Sequence, residues 1–135
     1  MREREREREI EVEEMGDDPL DGAGRIKLSI GTKQQGDTDG QFKRASGLAF
    51  DHHRGLLFVV DTNNHRIQVF SCDDDGSFKF TFGGKGNEPG QLQYPFGIAT
   101  DHDHDRILTV ESGNDRVQSW SLSDQSFLSC IGHHG

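Results

Sequence analysis

The stretch DTNNHRIQVF, Asp61 to Phe70, returns fifty positions later as ESGNDRVQSW, Glu111 to Trp120. Asp61, Asn64, Arg66 and Gln68 stand in register with Glu111, Asn114, Arg116 and Gln118, while the letters between them drift. The same offset of 50 aligns Gly47, Ala49 and Asp51 with Gly97, Ala99 and Asp101, and GQF at 40–42 with GQL at 90–92. Phe78 to Gly83 matches Phe127 to Gly132 at 49, one residue having been lost before the last strand. A period of this size that holds four short strand patterns predicts propeller blades.

Each strand pattern suits a different radius. SGLAF (46–50) and FGIAT (96–100) are small-residue strands for a crowded inner edge. LLFVV (56–60) and RILTV (106–110) are nearly continuous apolar runs, expected to be buried on both faces between neighbouring blades. RIQVF and RVQSW come third. SFKFTF and SFLSCI alternate, with one covered face each, and belong at the wetter outer edge. The expected blades are 46–82 and 96–131. RIKLSI adds one outer-type strand at 26–30, the opening half of a ring-closing clasp. The fold class is therefore all-β: a partial β-propeller of two four-stranded antiparallel blades plus an extra N-terminal strand, over residues 23–135.

Residues 1–22 read differently. REREREREIEVEE places Arg and Glu three apart, but like charges four apart, so helical pairing largely cancels. GDDPLDGAG reads as linker. The expectation is a low-complexity charged tail and linker without fixed structure.

The chain has 135 residues and a formal net charge of −9. Residues 1–15 hold four Arg and seven Glu, so both the tail and the remainder are acidic. Phosphate neutralisation needs clustered Lys and Arg, so nucleic acid and anionic membrane are disfavoured as partners. No apolar run approaches a membrane span, and the N-terminus lacks a signal core. Cys72 and Cys130 form no metal-ligand pair or disulfide framework, which points to a reduced compartment, cytoplasm or nucleus.

No catalytic set, metal site or cofactor cradle emerges. Asp101 to Asp105, DHDHD, echoes a calcium loop, but Arg106 stands where the turn Gly belongs and Ser112 where the last Glu belongs. It reads as a hairpin loop, like DHHRG at 51–55. The seven histidines show no structural zinc spacing. GGKGNEPG precedes a strand, not a helix, so it is no phosphate loop.

FGGKGNEPGQLQYPFGIATD (82–101) and DTNNHRIQVF together resemble the NHL repeat, over roughly residues 30–135. Ala45 stands where Pro95 stands in the second unit, Glu111 replaces Asp61, and the period exceeds the usual forty-odd residues. Kelch repeats share the period, but Gly83-Gly84 is not repeated at Gly132-His133. At the phrase that opens each third strand, Asn and Asp fix a turn and Arg reaches loop carbonyls or carboxylates, a structural role for Asp61, Asn64, Arg66, Glu111, Asn114 and Arg116.

The resemblance implies a non-enzymatic protein-binding or scaffold module, and two blades imply the N-terminal part of a longer propeller. Isolated blades would expose apolar faces and could self-associate. Candidate contact residues on one loop rim are Arg44, Asn63, His65, Lys85, Tyr94, Phe96 and Asp115. The alternative is the substrate-recognition portion of an E3 ubiquitin ligase, since similar repeats follow RING and B-box modules. RNA binding lacks its basic rim, and a peptide-amidating lyase lacks most of its catalytic ring.

Overall fold

The computed structural model describes residues 9–13, 26–32, 34–73 and 76–132. Strands β1 (Glu9–Glu13) and β2 (Ile26–Gly31) form an antiparallel pair. Strands β3 (Ala45–Asp51), β4 (Leu56–Asp61), β5 (Arg66–Ser71) and β6 (Phe78–Gly83) form one four-stranded meander. Strands β7 (Pro95–Asp101), β8 (Arg106–Glu111), β9 (Arg116–Ser121) and β10 (Phe127–Ile131) form a second. All neighbours are antiparallel. These are two propeller blades, each starting and ending within a residue of the repeat boundaries.

Strand alternation decides what each blade face offers. In the first blade, register places Phe58 opposite Val69 and Val60 opposite Ile67, with Ile67 opposite Phe82 and Val69 opposite Phe80. This face meets Ile107, Trp120 and Leu122 of the second blade, with Leu92 from the connecting loop, in one buried cluster. The Trp120 ring stands edge-on to Phe82 at 5.0 Å, and its indole N–H donates to the Thr109 hydroxyl at 2.9 Å. Along the inner edge, the Thr100 hydroxyl donates to the Phe50 carbonyl at 3.0 Å, tying β7 to β3.

The opposite face of the first blade carries Leu57, Val59 and Phe70, and Phe42 and Ile30 cover it. Ile30 is only 3% exposed, so β2 fills the place that a preceding blade's outer strand would take. A strand at Glu9–Glu13 corrects the expectation of a structureless segment over 1–22; the rest of that segment lies outside the described residues. The register explains the strand. Ile10 lies opposite Ile30 and Val12 opposite Leu28, just as Ile67 lies opposite Phe82 and Val69 opposite Phe80. EIEVE thus repeats the alternation of RIQVF, hidden in sequence behind the charged run.

A second correction concerns RILTV. LLFVVD is buried almost throughout, but RILTVE alternates between buried and half-buried residues. Leu108, Val110 and Val117 occupy the repeat positions of Phe58, Val60 and Ile67, on a face against which no further blade lies among the described residues. Ile131, opposite Val117 and 69% exposed, continues that open edge. The sequence is suited to burial; among the described residues no neighbouring blade covers this face, which leaves it wet.

Val60 and Val110 make a matched pair at one repeat position. Replacing buried Val60 by Ala is expected to cost about 2 kcal/mol, and Val110→Ala less than half of that, in urea unfolding of the chain. Equal losses would show that the second face is covered.

Candidate functional site

Each blade is pinned at one corner by a buried carboxylate. Asp61, fully buried, accepts from the Lys43 backbone N–H at 2.7 Å, Asn64 Nδ2 at 2.9 Å, Arg66 Nε at 2.8 Å and Gln68 Nε2 at 3.1 Å. Glu111 repeats the pattern with the Gln93 N–H, Asn114 Nδ2, Arg116 Nε and Gln118 Nε2 at 2.7–3.1 Å. The extra methylene of Glu therefore leaves the partner set unchanged. The arginines reach on to carbonyls of the loop before the blade: Thr38 and Gln41 for Arg66, and Asn87, Glu88 and Gln91 for Arg116. Gln68 and Gln118 close the set by accepting from the Gly40 and Gly90 amides. These glutamines were visible in the repeat, yet their role needed the third dimension.

The rim sits directly on these corners. The amides of Thr62 and Asn63 donate to the carbonyls of Arg44 and Lys43, and those of Ser112 and Gly113 to Tyr94 and Gln93. Arg44, His65, Tyr94 and Asp115 all have left-handed backbone, with φ of 68°, 55°, 51° and 52°. Non-glycine residues adopt this conformation infrequently. Here it recurs at two repeat positions, 44/94 and 65/115, where the chain must reverse direction before entering a strand.

Of the expected rim residues, the structure brings His65, Tyr94 and Lys85 together. His65 is mostly buried; its Nδ1 accepts from the Tyr94 backbone N–H at 3.0 Å, and the two rings meet edge-on at 4.6 Å. Burial, and then the nearby Lys85 ammonium, hold the His65 imidazole below its ordinary value, against an opposing pull from Asp61. Arg44 and Asn63 belong to the first corner, while Asp115 lies exposed at the second. Tyr94 and Phe96 do not pack beneath the loop: they are 45% and 49% exposed. Leu48, 41% exposed on β3, was missed by sequence reading; its one signal is a large side chain within a small-residue strand.

Among the described residues, no group of three or more His, Cys, Asp or Glu side chains could hold a metal ion. Neither Cys72 nor Cys130 is in a disulfide. No helix among the described residues is long and apolar enough to cross a membrane.

The family described as 6-bladed beta-propeller matches residues 41–134. The chain belongs to that family. It is 51% identical over 45 residues to Protein brain tumor of Drosophila melanogaster, covering 33% of this chain and 4% of that protein. It is 55% identical over 42 residues to the B-box type zinc finger protein ncl-1 of Caenorhabditis elegans, covering 31% of this chain and 5% of that protein. Both are NHL-repeat proteins, and the matched piece is a small fraction of each. Among solved structures, a Bacteroides fragilis protein described as exported superposes with a TM-score of 0.58 at 23% identity, over 67% of this chain and 24% of that one. The nidogen–laminin complex gives 0.53 at 21% identity, over 70% and 32%. At such identities these structures speak for the fold alone.

Removing the Glu111 carboxylate strands a guanidinium whose side chain is only 6% exposed. Glu111→Ala is expected to cost about 3–5 kcal/mol in denaturant unfolding, whereas Tyr94→Ala costs about 1 kcal/mol or less. His65 supplies a pH test. Its folded-state value is lowered, so the unfolded chain binds the proton more readily and stability falls with pH once it drops below about 6.5. The decline ends below the folded value, where both states are protonated. His65→Gln is expected to flatten this part of the stability profile relative to the parent chain.

Proposed function

We propose that this chain is a non-enzymatic protein-binding module that works within a longer NHL propeller. The observation that carries the reading is the unequal treatment of two equivalent faces. Phe58, Val60 and Ile67 are fully buried against the next blade, while Leu108, Val110 and Val117 stand half-buried beside exposed Ile131. A contiguous apolar face of this kind calls for another blade, and in its absence favours self-association. The contact rim is then the corner surface around Tyr94 and Phe96, with Arg44, Lys85 and Asp115 as its charges. Exposed aromatics on a rigid scaffold supply large contact area at low entropic cost.

A propeller of this kind selects partners by shape and by its acidic net charge of −9, which favours protein over nucleic acid. Two cysteines outside any disulfide fit a reducing compartment, cytoplasm or nucleus. A second reading, target selection for an E3 ubiquitin ligase, is supported by the B-box type zinc finger protein among the relatives.

Light scattering tests the completion of the ring. The chain alone is expected to associate and to bind an apolar dye, and Val117→Lys with Ile131→Lys is expected to reduce both. A soluble monomer that unfolds cooperatively without binding dye would overturn the reading. For the rim, affinity capture with Tyr94→Ala and Phe96→Ala is expected to lose the partners that the parent captures while unfolding at nearly the same denaturant concentration. Ubiquitylation of those partners, dependent on the same two aromatics in the full protein, would favour the ligase reading.

A further inference from the structure

The rim carries positive charge of a kind that the rest of the described chain neutralises. Among the described residues, every arginine but one pairs with a carboxylate at 2.8–2.9 Å: Arg54 with Asp51, Arg66 with Asp61, Arg106 with Asp101 and Arg116 with Glu111. Arg44 is the exception. It stands exposed at the reversal before β3, and no carboxylate among the described residues pairs with it. Lys43 beside it, and Lys85 on the loop into the second blade, are likewise exposed and form no ion pair among the described residues.

The fold gathers these cations and the exposed aromatics around one corner. The Arg44 carbonyl accepts the Thr62 amide, and His65, at the end of the same turn, meets the Tyr94 ring at 4.6 Å. The Lys85 ammonium is near enough to His65 to disfavour its protonation. Strands β3 and β7 lie side by side, with the Ser46 hydroxyl donating to the Phe96 carbonyl at 3.3 Å. The exposed carboxylates of this end belong to other turns. Asp37, Asp39 and Glu88 sit in the loops whose carbonyls receive Arg66 and Arg116, and Asp115 stands one blade further on, at the repeat position of His65. The opposite end of the blades offers no comparable charge. There Arg54 and Arg106 are already paired, and the His52 and His102 rings lie 6.2 Å apart in loops that also carry Asp51, Asp101, Asp103 and Asp105.

We propose that the rim binds an acidic peptide segment, whose carboxylates meet Arg44, Lys43 and Lys85 while one apolar or aromatic side chain lies against Tyr94 and Phe96. This rests on the reading of the rim as the contact surface and names the chemistry of its partner. A guanidinium presents paired donors that match a carboxylate, and an exposed aromatic pair supplies contact area beside it. The net charge of −9 repels an acidic segment at long range, so the local cations decide where such a segment docks. A peptide sets a few carboxylates at the patch and leaves neutral residues over the acidic surroundings. A nucleic acid, charged at every nucleotide, cannot.

Fluorescence anisotropy of a labelled peptide, one phenylalanine flanked by two glutamates on each side within a neutral Gly/Ser sequence, tests this against the full chain. The expected result is saturable binding that weakens as ionic strength rises. Affinity is expected to fall about tenfold or more in Arg44→Glu with Lys85→Glu, and to vanish when lysines replace the glutamates of the peptide. Lys79→Glu, on the outer strand β6, is the control and is expected to leave the affinity nearly unchanged. Where the double reversal shifts unfolding, Arg44→Gln with Lys85→Gln carries the same test. Absence of binding, equal binding by the rim variants, or tighter binding of an RNA oligonucleotide of the same charge overturns the proposal. Capture of protein partners that depends on Tyr94 and Phe96 but not on Arg44 and Lys85 overturns the acidic partner alone and leaves the rim as contact surface. Capture that depends on neither pair overturns both.

Discussion

The structure hangs on a buried carboxylate at the corner between the second and third strands of each blade. An isolated carboxylate in such a place would be strongly destabilising, so it survives only because four donors converge on it. In the first blade these come from Asn64, Arg66, Gln68 and the Lys43 amide; in the second, from Asn114, Arg116, Gln118 and the Gln93 amide. Three of these donors follow the carboxylate within seven residues, and the amide comes from eighteen residues before it. The arginine and glutamine then extend the network to the preceding loop, so the corner, the third strand and the blade entry become one unit. Breaking one partnership leaves several buried groups unsatisfied at once.

That constraint locates everything else. With the corners fixed, the backbone reversals at Arg44 and Tyr94, and at His65 and Asp115, fall on one rim, while left-handed Asp105 and Gln125 lie at the other end. His65 links the first corner to the start of the second blade by accepting the Tyr94 amide. The apolar faces follow from strand alternation: the face carrying Phe58 and Val60 must point at the next blade, and the equivalent face carrying Leu108 and Val110 must point where a further blade would stand. The pairing of β1 with β2 solves the same problem at the other side, covering Leu57, Val59 and Phe70 with Ile30.

The two ends of the blade sandwich are chemically unlike. One carries aromatic and charged side chains, suited to contact with a protein surface. The other brings together imidazoles among paired carboxylates. Both arise from one cause, since placing repeat units side by side turns a sequence offset into spatial adjacency.

Much of this was legible in one dimension. The offset of fifty between DTNNHRIQVF and ESGNDRVQSW located the blades and strands, and it marked Asp61, Arg66 and their counterparts as corner residues, because corner chemistry is local and recurs with the period. The charged run hid the strand at Glu9–Glu13, whose pairing is read only against β2. The half-wet state of RILTV was likewise invisible, since burial depends on a neighbouring blade and not on the strand's own letters. Sequence determined what each side chain is able to do and its height along a blade. Tertiary structure alone decided which residues of different blades meet, as His65 with Tyr94 and His52 with His102, because those distances are set by packing between sheets and have no counterpart in spacing along the chain.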